Sequence, residues 1–279
     1  MDKISLKIKM LYNDMGNAEK RIADWIFENP RKIISLSIVE LAEKCCCSEA
    51  TIVRFSKRLG LSGYQELKIS LAAEGGGSSV STHINSDDSA YQIYEKVCND
   101  IYMSLEQTKR SLKPDALERA ASEICKSNRI VLFGLGNSAS VAMDASHKFL
   151  RAGLNAVTYS DNHMQVIAAS HLTANDTAIA ISHSGSSKDI VEALKIAKEH
   201  GATTISITNN GKSPILRHSD IVLSTASEET QYNILALNSR IVQLAIIDTL
   251  YFYIVLNRSS QSLESIKETE RALLSKEYL

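Results

Sequence analysis

Residues 176–201 read DTAIAISHSGSSKDIVEALKIAKEHG. The opening DTAIAIS is a short apolar run with the length and flanks of a buried strand. The closing SSKDIVEALKIAKEHG sets Ile190, Leu194 and Ala197 at helical spacing, with charges on the other side. Between them lies a turn of serines, one histidine and one glycine, Ser182 to Ser187. Strand, polar turn, amphipathic helix is the repeating unit of a parallel sheet covered by helices.

The alternation continues on both sides. RIVLFG (129–134) is a β-rich run, and LGNSASVAMDASHKFLRAG (135–153) is a glycine-bearing turn leading into a helix. NAVTYS (155–160), TTISIT (203–208) and DIVLST (220–225) supply three more strands. Five apolar strands alternating with helices predict a parallel sheet buried on both faces. Right-handed crossovers make it doubly wound. Upstream, SAYQIYEKVCNDIYMSLEQTKRSL (89–112) and PDALERAASEICKS (114–127) read as helices, with Pro114 suited to a first turn.

A composition break precedes these helices. EGGGSSVSTHINSDDS (74–89) cannot bury a core and reads as a linker. The expected organisation is α/β with an all-α N-terminal domain: helices in 1–75, a linker in 76–89, and the sheet with flanking helices in 90–279. The 279 residues suffice for two such domains, and 44% hydrophobic with 23% charged is the balance of a soluble protein. A formal net charge of −1 excludes a wholly basic nucleic-acid coat but not a basic face on one domain. The longest apolar stretch, Ile241 to Leu256, is broken by Gln243 and Asp248, so a buried helix is expected and no membrane role. Met1 to Met10 lacks the apolar core of an export signal, which predicts a cytoplasmic protein with thiol cysteines.

The first domain carries a second pattern. NAEKRIADWIFENP (17–30) aligns Ile22, Trp25 and Ile26, with Asn17 as candidate cap and Pro30 as stop. SIVELAEKCCC (37–47) has Ser37 and Glu40 at capping-box spacing. SEATIVRFSKRLG (48–60) starts on Ser48, aligns Ile52, Phe55 and Leu59, and ends on Gly60. SGYQELKISLAAE (62–74) adds one more helix. The bend at 45–48 fits a helix-turn-helix. Small Ala42 admits the second helix, and Leu41, Cys45, Cys47, Ile52 and Phe55 fall where the two would pack. Thr51 and Arg54 then face outward to reach base edges, while Lys57 and Arg58 suit phosphates. The plainer alternative is a solvated face on an ordinary bundle. Cys46 departs from the pattern, since many such turns place glycine there.

The cysteines do not make a metal site. Zinc sites space their thiols in C-x-x-C pairs and need four ligands. Cys45, Cys46 and Cys47 are adjacent, with Cys98 and Cys125 far off, and Cys45 and Cys47 read as small apolar plugs.

Ligands of doubly wound sheets bind beyond the carboxyl ends of the strands. Two serine-rich turns fall there, Gly134 to Ser140 and Ser182 to Ser187. Gly134-x-Gly136 begins like a dinucleotide fingerprint, but Ala139 holds the third glycine position and no acid ends the 156–159 strand. No nicotinamide, other cofactor or metal is expected. Each turn instead offers hydroxyls and backbone amides at a helix start, which attract anions. With Lys188 the nearest cation, a small phosphorylated polyol fits better than a nucleotide. Helix capping alone needs one serine per helix, and the surplus favours a ligand.

GLGNSAS (134–140), AIAISHSGSSKDIVEALKIAKEHGATTISITN (178–209) and SPILRHSDIVL (213–223) resemble a sugar isomerase (SIS) domain. AEKRIADWIFENP (18–30) and 37–71 are similar to the DNA-binding domain of RpiR-type transcriptional regulators. The resemblance covers nearly the whole chain, in that family's domain order. It implies a SIS domain that dimerises, with a tetramer left open, a phosphosugar effector and double-stranded operator DNA as partner. It assigns ligand contacts to Ser138, Ser140, Ser182, Ser184 and Ser187, with Gly185 permitting the turn. Where the family often has glutamate-threonine, this chain has Ser186-Ser187. TASEETQYNILALNSR (225–240) would begin the helix that closes the pocket, bringing Glu228, Glu229 and Arg240 near it. The rival function is a sugar-phosphate isomerase or lyase. It would need a base, with His147, His163, His171, His183, Glu228 and Glu229 as candidates. The DNA-reading half favours a regulator and no enzyme.

Overall fold

A computed structural model describes residues 4–30, 32–74, 84–85, 87–209, 211–227 and 237–274. They form two compact units. One holds the described residues through Met103 with 211–213 and Leu237, and the other holds the remaining described residues.

The first unit packs α1 (Ile4–Leu11), α2 (Asn17–Glu28), α3 (Lys32–Ser35), α4 (Ile38–Lys44), α5 (Glu49–Arg58) and α6 (Tyr64–Glu74). Its core includes Ile22, Ile26, Leu41, Ile52, Phe55 and Leu59, all buried. Each such side chain contributes about 1.5–3 kcal/mol over its exposed state. Ser37 accepts from the Glu40 amide at 3.2 Å while Glu40 accepts from the Ser37 amide at 2.8 Å, a complete capping box. The Ser48 hydroxyl accepts from Thr51 N at 3.3 Å. Asn17 is not a cap. Gly16 holds that position, and Glu19 accepts the Gly16 N–H at 3.0 Å, doing the work from inside the helix.

The turn between α4 and α5 shows how cysteine stands in for glycine. Cys47 N donates to Ala42 O at 2.9 Å and Cys46 N to Glu43 O at 3.1 Å. Those two bonds are a Schellman motif, whose pivot must be left-handed. The pivot is Cys46, at φ +49°. Arg21 of α2 holds it in place, donating to the Cys45 and Cys46 carbonyls at 2.9 Å each. Cys45 is buried beneath, and that burial pushes its thiol up to about 11, so it packs as a neutral apolar group. A left-handed L-residue costs about 1–2 kcal/mol, and glycine returns about 0.5–1 kcal/mol of that as chain entropy. Cys46→Gly is therefore expected to stabilise this unit by up to about 1 kcal/mol. Urea unfolding checks it, and an unchanged or lowered midpoint means the turn carries no strain.

The division between the units falls inside α7 (Ala90–Ser111), between Met103 and Ser104. The second unit then alternates: α8 (Pro114–Lys126), β1 (Ile130–Phe133), α9 (Asn137–Arg151), β2 (Ala156–Tyr159), α10 (Asn162–Ser170), β3 (Thr177–Ile181), α11 (Lys188–Glu199), β4 (Thr203–Asn209), β5 (Ile221–Thr225), α12 (Leu237–Asn257) and α13 (Ser259–Leu274). Every pairing is parallel, and the sheet order is β2-β1-β3-β4-β5. This is the doubly wound five-stranded sheet expected from the sequence.

Strand alternation sorts the helices into two layers. Ile130, Leu132, Ile179, Ile181, Ile205 and Ile207 face α8, α9 and α12. Val131, Phe133, Ala178 and Ala180 face α10 and α11. The helix α12 is long and apolar enough to cross a membrane by length and composition. Its Ile246, Ile247, Leu250 and Ile254 lie in the first layer's core. The acid that interrupts it, Asp248, pairs with Lys148 of α9, which also holds Asp144 at 2.7 Å.

Candidate functional site

In the order β2-β1-β3-β4-β5 the winding reverses between β1 and β3. A crevice beyond the strand ends at such a reversal is where doubly wound sheets bind ligands. Phe133 lies opposite Ala180, so the two serine-rich turns leave neighbouring strands side by side. They part to opposite faces, the first into α9 and the second into α11.

The first turn is tightly built. A Cβ on Gly134 would stand 2.6 Å from the Ser138 carbonyl oxygen, so only glycine fits. Gly136 precedes α9 at φ +56°. Ser138 is half-buried in the first turn of α9, and Ser140 is exposed, its hydroxyl donating to Asn137 O at 2.7 Å. The amides of Ser138 and Ala139 fold back onto the Leu135 and Gly136 carbonyls at 3.1 Å each.

The second turn begins as sheet. Ser182 is buried, and its N–H donates to Ile207 O at 3.0 Å. The Ser184 hydroxyl accepts from Ser186 N at 3.3 Å, and the Ser186 hydroxyl donates to Ser184 O at 3.1 Å. Gly185 reverses the chain at φ +59°, and its carbonyl accepts from Ile215 N at 3.0 Å. Ser187 then occupies the cap position of α11 without making a side-chain cap bond. α9 likewise has no side-chain cap, whereas α4, α5 and α10 are capped by Ser37, Ser48 and Asp161. The first turn of α9 contains no acid, while that of α11 holds Asp189 beside exposed Lys188.

The basic candidates are distributed unevenly. His171 follows the last turn of α10, which leads back to the opposite edge of the sheet. His147 lies deep in α9, about 15 Å along the axis from its start at 1.5 Å per residue. That leaves His163, exposed at the start of α10, and half-buried His183 at the crevice edge. Arg240 is exposed on α12. Glu228 and Glu229 lie outside the described residues.

On the other unit, α5 presents Arg54 and Lys57 fully outward and Thr51 half-buried. Ser48, Thr51 and Arg54 form one polar strip: the two hydroxyls are 2.9 Å apart, and Arg54 Nη2 donates to Thr51 Oγ1 at 3.4 Å. Arg58 differs from its neighbours. Its guanidinium donates to Glu19 at 2.8 Å and to the Asp14 carbonyl at 2.7 Å, bracing α5 against its own domain.

Two family models divide the chain between them. Residues 3–76 match a helix-turn-helix domain of the rpiR family and residues 123–253 match a SIS domain. A helix-turn-helix transcriptional regulator of Caldanaerobacter subterraneus, TTE0211, is 36% identical over 268 residues, 95% of each chain. The chain belongs to the RpiR family of transcriptional regulators. HexR of Pseudomonas aeruginosa, another helix-turn-helix regulator, is 32% identical to this RpiR-family chain, covering 98% of it and 96% of HexR. In fold, the RpiR-family chain is similar to Vibrio vulnificus NanR complexed with ManNAc-6P, at a TM-score of 0.83 and 23% identity over 99% of this chain and 100% of that one. Its sheet unit is also similar to the sugar isomerase domain of an RpiR transcription factor from Sphaerobacter thermophilus, with a TM-score of 0.58 and 25% identity over 64% of this chain and 99% of that one.

Two side chains escaped the sequence reading. Arg21 looked like any charge on a solvated helix face. Gln165 of α10 is fully buried and donates to the carbonyls of Gly134, at 3.0 Å, and Tyr159, at 2.6 Å. A lone glutamine in DNHMQVIAAS is a weak signal, legible only as a polar residue on the inward face of that helix.

Proposed function

We propose that this regulator binds operator DNA through α5 and that a phosphosugar held in the β1/β3 crevice controls that binding. The observation that carries the second half is the pair of helix starts there. Both α9 and α11 begin without a side-chain cap, although Ser187 sits where it could supply one. A helix start that no side chain caps suits a phosphate. The NanR complex, of similar fold, holds ManNAc-6P. A phosphorylated sugar or amino sugar is therefore the ligand class to test first.

Thr51 and Arg54 are assigned to base edges and Lys57 to phosphate. Arg58 serves mainly to brace α5, with phosphate contact a secondary role. Ser138, Ser140, Ser182, Ser184, Gly185 and Ser187 are assigned to the ligand. Two copies of the chain would place their recognition helices on half-sites about 34 Å apart, one helical turn of a palindromic operator in the cytoplasm. Effector control then requires that the phosphosugar bind one conformation of the dimer better than the other. Relatives spanning nearly the whole chain are named as regulators, which favours this reading over a sugar-phosphate isomerase or lyase.

A thermal-shift screen of phosphorylated sugars against their unphosphorylated forms tests the ligand class. Ligand at a hundred times its Kd is expected to add about 2.7 kcal/mol to the stability of the sheet unit. Stabilisation by a phosphosugar and not by its unphosphorylated form is the expected result. Equal stabilisation by both sinks the phosphate grip, and turnover of a phosphosugar at enzymatic rates revives the isomerase.

A further inference from the structure

We infer that Gln165 is a positioning residue for the first effector turn, holding Gly134 to Ser140 in register with the end of β2. The inference rests on the proposed phosphosugar site and adds to it the part that sets its geometry.

Gln165 has one amide nitrogen and two hydrogens, and both are committed. One reaches Gly134 O, the first residue beyond β1, and the other reaches Tyr159 O, the last residue of β2. The orientation of the amide follows from its partners. Turning it over would press Oε1 against two carbonyl oxygens. Oε1 is buried and has no hydrogen-bond partner among the described residues, so the side chain is held by its donor end. The helix that carries Gln165 starts just beyond β2, where Asp161 Oδ1 caps it by accepting from Met164 N at 2.9 Å.

Gly134 is therefore fixed from two directions. Its carbonyl is held by Gln165, and its Cα lies under the first turn of α9 with no room for a methyl group. The peptide planes that follow inherit that orientation. They include the turn at Gly136 and the start of α9, where Ser138 and Ser140 stand. The second turn is held more loosely from outside, by a long bond from the Thr208 hydroxyl to His183 O at 3.4 Å and by the Ile215 N–H on the Gly185 carbonyl at 3.0 Å. The two halves of the crevice are thus fixed by different means, and one glutamine governs the first.

The test uses the full chain without ligand and measures amide hydrogen exchange in Q165M and Q165E. In Q165M both buried carbonyls lose their donor, and exchange across 135–140 is expected to accelerate about ten-fold or more. Exchange at the start of α11 and in β3 and β4 should stay as in the wild type. Q165E regains one donor when its carboxyl is protonated. Its protection across 135–140, corrected for intrinsic rates, should recover as pH falls, while Q165M shows no such recovery. Unchanged exchange at 135–140 in Q165M overturns the inference. So does acceleration spread evenly over the sheet in either variant, which would make Gln165 a general core brace. A calorimetric titration with ManNAc-6P and with glucose 6-phosphate separates this from the function itself. Absence of binding to the wild type counts against the effector reading, while the exchange data still decide what Gln165 holds.

Discussion

Arg54→Ala is expected to weaken operator binding about ten- to hundred-fold, the loss of one bidentate base contact. The side chain is exposed in the middle of α5, and its bond to Thr51 Oγ1 is long, at 3.4 Å. Little holds Arg54 to its own domain, so removing it should not unfold the helix. Anisotropy with a labelled operator duplex at fixed salt measures the effect. Lys57→Ala should behave differently, weakening all sequences alike and lowering the salt slope by about one. Unchanged operator affinity in Arg54→Ala removes that residue from the readout. The expectation is sharpened by Arg58, which is spent on Glu19 and Asp14.

Ser184→Trp is expected to abolish the response to phosphosugar while leaving operator binding intact. Ser184 is half-buried, and its hydroxyl and carbonyl organise the turn through Ser186. An indole there fills the crevice where the ligand's phosphate would sit. Shifting the protein from mostly bound to mostly free needs about 3–5 kcal/mol of differential affinity. A variant that cannot seat the phosphate has no source for that difference. Operator release titrated with the phosphosugar found in the thermal screen is the measurement. A normal response at wild-type concentrations means the pocket lies elsewhere.

Much of this architecture is written locally. The five strands announce themselves because each is a compact run of β-branched and apolar residues bounded by polar turns. Ser37, Ser48 and Gly60 are legible because capping is a matter of three or four neighbouring residues. Gly60 indeed closes α5 at φ +80°, with Leu61 N donating to Ser56 O at 3.1 Å. What escaped depends on partners distant in sequence. Arg58 meets Glu19 across 39 residues, and Gln165 meets Gly134 across 31. No spacing rule connects such pairs. The Asn17 cap failed for a different reason: the helix begins one residue earlier, with Gly16 in the cap position and its N–H accepted by Glu19. At the crevice, the sequence pointed to the two turns but not to the clip that sets one of them.

The parting of the two turns has a mechanical consequence. One leads into the layer that includes α9 and α12, already joined by Lys148 and Asp248, and the other into the layer of α10 and α11. A small molecule gripped by both turns is a rivet through the rim of the sheet. It would tie together two slabs that lie on opposite faces of the strands. Its occupancy would register as stiffness on both sides of the sheet, well beyond the few residues it touches.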